Sequence, residues 1–193
     1  MITKRHSDSS VLATQMASDL PIASVRANIK LVISGGQNEP RDAIAGAAWA
    51  LLKHPQQRDK VVEGDATYRQ VFEEYARWMS PIGMSPRQVA CNERVLDYDF
   101  KVGQRVFFMF GAANRDPRVF DQPDTFNVSR DNRKTVSFGA GPHFCAGAAA
   151  SRALIAEVAL PKLFERFPKL RITAPVEFGG WAFRGPLSVP VTG

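Results

Sequence analysis

The stretch Phe138-Gly-Ala-Gly-Pro-His-Phe-Cys-Ala-Gly147 decides how the chain is read. It sets a cysteine, Cys145, in a glycine-rich loop that leads straight into the alanine-rich run AAASRALIAEVAL. At such a helix start, unpaired backbone N–H groups and the helix dipole favour an anionic sulfur. Gly139, Gly141 and Gly147 let backbone approach a flat or bulky ligand, and Ala146, Ala148 and Ala149 keep the first turn slim. Two chemistries fit these residues besides a buried structural cysteine. One is a thiolate presented to a large ligand; the other is a nucleophile with His143 as its base.

Working outward, 193 residues with 45% hydrophobic content suit one domain with a sizeable core. The longest apolar run, Ala43 to Leu52, is too short to span a bilayer, and the start MITKRHSDSS reads as no secretion signal. Membrane protein, disulfide scaffold and fibre are thereby excluded. Two cysteines, Cys91 and Cys145, suggest a reducing, cytoplasmic setting, and the three histidines are too scattered for zinc. The net charge of +6 is spread rather than clustered, which argues for a solvated surface and against nucleic acid.

A short helix is expected over VLATQMAS, then a long one from about Pro21 to Lys53. Gly35, Gly36 and Pro40 interrupt it, because Pro40 cannot donate and its ring collides with the carbonyl of Gly36. The expectation is a kinked helix with Asn38 and Glu39 at the opening; two helices divided by a loop is the alternative. Tyr68 to Met79 reads as a further helix carrying Glu74 and Arg77, three apart and able to pair. Tyr98, Phe100 and Val102 alternate with polar residues as a strand, and Gly103-Gln104 turns the chain into a second, VFFMF. Asn114 to Asn132 is long, irregular and Pro/Asp-rich, the kind of segment that tends to be functional. The run after Cys145 is expected to end at Pro161 or slightly later, and the C-terminus to form short strands.

The loop resembles the haem-binding signature of the cytochrome P450 haem-thiolate monooxygenases, F-x-x-G-x-x-x-C-x-G, at Phe138, Gly141, Cys145 and Gly147. Glu74-Tyr75-Ala76-Arg77 is similar to the family's E-x-x-R helix, and Asn114-Arg115-Asp116-Pro117 with Phe120, Pro123 and Phe126 to its meander. FERFPKLRIT and FRGPLSVPV resemble its closing segments. The implied fold is mainly α with small β-sheets, the carboxy-terminal half of the P450 fold. Its expected parts are a long kinked oxygen-side helix, E-x-x-R helix, meander, cysteine loop and following helix. Residues 1–193 then form a partial haem-binding domain lacking its amino-terminal half. Such a chain, expressed alone, would expose apolar surface and hold haem weakly.

The resemblance implies haem b with Cys145 as the axial thiolate ligand to iron, Phe138 packed beside the sulfur, and Gly139, Gly141 and Gly147 as further cofactor-binding residues. Arg87 and His143 match positions that bind haem propionates, and Glu74 and Arg77 become a structural pair with Arg130 as candidate third member. The departure is Gly35-Gly36-Gln37-Asn38-Glu39-Pro40, where the family places an acid followed by threonine. Asn38 cannot titrate, so Glu39 becomes the candidate acid/base. Val32, Ile82, Met84 and Phe183 match substrate-facing regions and imply a small hydrophobic or aromatic substrate.

The expected activity is oxygen insertion by hydroxylation or O-dealkylation. Electrons would reach it from NAD(P)H through a ferredoxin and reductase, with Arg133, Lys134 and Arg152 as candidate docking cations. A peroxide-driven peroxygenase or aromatic O-demethylase using Glu39 is the alternative within the same chemistry. An inactive fragment or non-catalytic haem-binding protein is the alternative from another class.

Overall fold

A computed structural model describes residues 10–193, as two units: one ending at Asn38 and one spanning Glu39–Gly193. The first contains α1 (Val11–Met16) and α2 (Ile22–Gly35). The Ser10 hydroxyl caps α1 by accepting the Ala13 N–H at 3.0 Å. Asn28 on α2 donates to the Gln15 side chain at 2.9 Å, tying the two helices together.

The expected kinked helix is instead two helices. α2 stops at Gly35, Gly36-Gln37 form a turn, and α3 runs Asn38–Lys53. A Cβ on Gly36 would lie 2.7 Å from the Val32 carbonyl oxygen, so the turn needs glycine. Pro40 falls in the first turn of α3, where a helix has no partner for its N–H groups. Breaking the chain before Pro40 thus avoids the clash that a continuous helix would have to absorb by bending.

In the second unit, α3 is followed by α4 (Pro55–Val62) and α5 (Tyr68–Met79). α5 starts on a capping box: Thr67 Oγ1 accepts the Gln70 N–H and Gln70 returns the favour to the Thr67 N–H. Its apolar face packs Val71, Phe72 and Tyr75 into a core with Ala47, Leu51, Phe126, Val128, Ile155, Leu160 and Phe164. Gly46 lets α3 come close to α5, since a Cβ there would sit 1.7 Å from the Tyr75 hydroxyl.

Four two-stranded antiparallel ladders complete the unit. β1 (Ser85–Gln88) pairs with β4 (Arg105–Phe108), and β2 (Glu93–Val95) with β3 (Tyr98–Phe100). The strands expected at Tyr98 and Val106 therefore pair with earlier partners rather than with each other. β5 (Arg171–Ile172) pairs with β8 (Val191–Thr192), and β6 (Phe178–Gly179) with β7 (Gly185–Pro186). A short α6 (Phe110–Ala113) opens the irregular segment.

The helix after the cysteine outlasts its expected stop. α7 (Ala148–Arg152) passes into a π-helical stretch, Ala153–Ala159, and then α8 (Leu160–Arg166). Pro161 stands at the first turn of the restored α register, where its missing N–H interrupts least.

Candidate functional site

The cysteine loop is held from within. The Cys145 N–H donates to the Phe138 carbonyl at 2.9 Å and the Cys145 carbonyl accepts the Ala148 N–H at 3.2 Å. Gly139 and Gly141 take left-handed backbone, φ +69° and +64°, as the tight path between Phe138 and Cys145 requires. A short 3-10 turn, Gly141–His143, carries His143 exposed at the loop's tip. The Cys145 thiol is itself exposed, and Gly147 lies against its sulfur, a Cβ there coming within 3.8 Å. Phe138 is half-buried, its ring edge-on to Phe72 at 6.0 Å and tilted to Phe144 at 6.3 Å.

Behind the loop, Glu74 and Arg77 are both fully buried and meet in a two-pronged pair, Nε and Nη2 to the two carboxylate oxygens, each at 2.8 Å. Arg77 also donates to the carbonyls of Asn114 (2.9 Å), Pro123 (2.8 Å) and Thr125 (3.3 Å). Glu74 in turn accepts the Asn127 N–H at 2.9 Å and Arg130 Nε at 3.2 Å. Arg130, expected as the third member, is there, and its guanidinium reaches the Asp121, Gln122 and Thr125 carbonyls. One ion triad thus ties α5 to the irregular segment by carbonyls that have no helix or strand partner.

Asn114, which the sequence marks only as part of that segment, is a buried hub. Its amide donates to Ser80 and Ser137, both at 3.0 Å, and its carbonyl oxygen accepts from Thr135 Oγ1 and the Val136 N–H. It therefore connects Arg77 to the residue preceding Phe138. No local motif marks such a role. The polar Thr135 and Ser137 spaced before the loop are the available signal.

The remaining expected residues separate by location. Ile82 and Phe183 come together in a bridge, flanked by Gly83 N–H to Ala182 O and Arg184 N–H to Pro81 O. Phe183 is exposed and Ile82 half-buried, whereas Met84, expected on the same face, is buried. Arg87 is exposed on β1; it bonds Ser85 Oγ and stacks over Phe108 at 5.5 Å. Glu39, in the first turn of α3, is half-buried with one carboxylate oxygen enclosed and without a hydrogen-bond partner. Val32, Gly35, Gly36 and Asn38 belong to the first unit and are exposed there.

Of the candidate docking cations, Arg133 pairs with Asp131 at 2.7 Å in the open, and Arg152 is three-quarters buried against Glu73 at 2.6 Å. Arg152 is thus an inward-facing cation, a correction to its expected place on a docking surface. The sequence shows its charge but not that α5 places a carboxylate opposite it.

The cytochrome P450 family model matches residues 67–170, more than half of the chain and all of the elements just described from α5 to the loop. The chain belongs to the cytochrome P450 family. It is 32% identical over 142 residues to a biotin biosynthesis cytochrome P450 of Bacillus subtilis, covering 74% of this chain and 36% of that protein. A steroid C26-monooxygenase of Mycolicibacterium smegmatis is 32% identical over 164 residues, 83% of this chain and 41% of that one. Among solved structures, P450BioI in complex with a hexadec-9Z-enoic acid-ligated acyl carrier protein superposes with a TM-score of 0.89. It is 29% identical, over 97% of this chain and 50% of that one. The chain spans less than half the length of these curated relatives.

A P450 implies haem iron held by a thiolate. The loop's donor set fits that group: one exposed soft sulfur and a glycine-lined approach. A lone thiolate would suit an iron that a macrocycle already holds. No described helix is long and apolar enough to cross a membrane.

Proposed function

We propose that this chain forms the thiolate-bearing part of a haem-binding domain, in a P450 that inserts oxygen into a small hydrophobic or aromatic molecule. The observation that carries the reading is the exposed Cys145 sulfur on a loop clamped by its own N–H to Phe138, within a P450 sequence match. Haem, when bound, supplies the oxidation chemistry. Cys145 would hold its iron, with Phe138, Gly139, Gly141 and Gly147 as the close wall. Arg87 and His143, both exposed, would hold the propionates. The partial coverage of the relatives supports reading the chain as one part of a larger domain.

Ile82 and Phe183, joined across their bridge, offer an apolar wall for substrate. The reaction class that suits such a wall is hydroxylation or O-dealkylation, with electrons delivered by a ferredoxin and its reductase. Two free thiols fit a reducing cytoplasm.

A second reading is favoured by one observation, the enclosed and unpartnered Glu39 oxygen. A carboxylate with an unsatisfied oxygen is equipped to take and return a proton, which activation of hydrogen peroxide requires. Asn38 beside it can donate but not titrate, and Gly35-Gly36 leave the turn slim. Steady-state turnover of methoxy-aromatic substrates by the whole haem-loaded domain of which this chain is proposed to be part, with peroxide alone against turnover with ferredoxin and reductase, tests both readings. Peroxide turnover that falls sharply in Glu39→Gln supports the second. Turnover only with the redox proteins, unchanged by Glu39→Gln, supports the first, and no turnover under either regime contradicts both.

A further inference from the structure

The Arg152–Glu73 contact has no part in the chemistry proposed above, yet it reaches the cysteine loop. The guanidinium carbon of Arg152 lies 4.6 Å from the centroid of the Phe138 ring. Its Nε donates to Glu73 Oε1 at 2.6 Å, and both side chains are largely buried, 24% and 16% exposed. A second cation, Arg69, stands 3.9 Å from the same Glu73 oxygen but is mostly in solvent. Phe138 is the residue whose carbonyl accepts the Cys145 N–H. Its ring has Phe72 on one side, Phe144 on another and the Arg152 cation over its face.

A planar guanidinium over an aromatic face is attractive, more so when partly desolvated. Glu73 fixes the direction of that guanidinium, so the ring is held and a positive charge is held with it. Water screens this charge poorly, because the pair is enclosed between α5 and α7.

We propose that Arg152, aimed by Glu73, is a positioning residue that tunes electron donation from the Cys145 thiolate to haem iron. It does so by fixing Phe138 and by setting a positive charge behind the cysteine loop. The inference rests on the haem-thiolate reading of Cys145. Reduction of ferric to ferrous iron adds one electron, supplied in the measurement by dithionite, and makes the iron–thiolate unit more negative. A nearby cation favours that state, and the Glu73 carboxylate opposes it.

The two partners therefore have opposite signatures. In the haem-loaded protein, spectroelectrochemical titration should show a lower midpoint potential for Arg152→Gln and a higher one for Glu73→Gln. Arg152→Lys, which keeps the charge and loses the planar stack, should fall between wild type and Arg152→Gln. A merely structural contact would loosen the loop in either variant and move both potentials the same way. Shifts of the same sign, or none, overturn the proposal. So does an unchanged potential with a raised KM for an acidic redox protein, which would return Arg152 to a docking role. If Arg152→Gln does not load haem, Glu73→Gln alone decides by its sign: a rise supports, a fall or no change overturns. Absence of a thiolate-type carbon monoxide band in the unmutated protein would instead defeat the haem reading, and is separable for that reason.

Discussion

Replacing Arg77 by methionine should destabilise the fold by about 3–5 kcal/mol, the cost of leaving a buried charge without its partner. Both Glu74 and Arg77 are 0% exposed, so water cannot step in for the lost guanidinium. Glu74 would keep Arg130 and the Asn127 N–H, but the carbonyls of Asn114, Pro123 and Thr125 would lose the donor they share. Each buried acceptor left unmade costs about 1–3 kcal/mol, which places the total toward the upper part of the range. A loss of about 4 kcal/mol lowers the folded-to-unfolded ratio roughly a thousandfold.

Equilibrium urea unfolding followed by far-UV circular dichroism reads the change. Arg77→Lys keeps a charge but lacks the fork, so it should lose about 1–3 kcal/mol and remain measurable if the methionine variant does not fold. The Glu74→Met/Arg77→Met double variant discriminates further. A simple two-member pair replaced by apolar residues is often near neutral. Here the double variant should recover little, because Arg130 and the three carbonyls stay behind. A cost below about 1 kcal/mol for Arg77→Met, or near-complete recovery in the double variant, would refute the reasoning.

Gly46→Ala should destabilise by about 1–3 kcal/mol, since its Cβ would meet the Tyr75 hydroxyl at 1.7 Å. Combining it with Tyr75→Leu should cost less than the sum of the single variants, checked by a double-mutant cycle in urea. Asp116 and Asp131 should titrate at about 2, each held down first by the side chain of Arg118 or Arg133 and then by that residue's N–H. Because these folded values lie below the ordinary 3.8, the stability they add is present above about pH 4 and is lost as pH falls toward 2. Carboxyl NMR titration reads both, and Arg118→Gln should return Asp116 toward 3.8 while leaving Asp131 in place. Asn114→Ala should cost about 2–4 kcal/mol in urea, because Ser80, Ser137, Thr135 and the Val136 N–H all lose a buried partner.

Much of this architecture was visible in the residues, for reasons that can be named. α5 was legible because Val71, Tyr75 and Trp78 repeat at helical spacing and Glu74 and Arg77 fall one turn apart. Arg130 was legible as their partner only through the family's pattern. Strand pairing was not: Ser-Pro-Arg-Gln and Glu-Arg-Val are short, polar and without alternation, so nothing local announces β1 and β2. The π stretch before Pro161 was hidden because proline reports a lost donor and not whether the register before it has already shifted. Asn114 and Arg152 were missed or misplaced for one shared reason. Their roles depend on partners that lie far away in sequence: Ser80 and Arg77 for one, Glu73 for the other.

The most direct test of the central claim, that Cys145 presents a thiolate to haem iron, is the carbon monoxide difference spectrum of the reduced, haem-loaded protein. A thiolate-type band that disappears in Cys145→Ser is the predicted result. No such band, or one that survives Cys145→Ser, would contradict it.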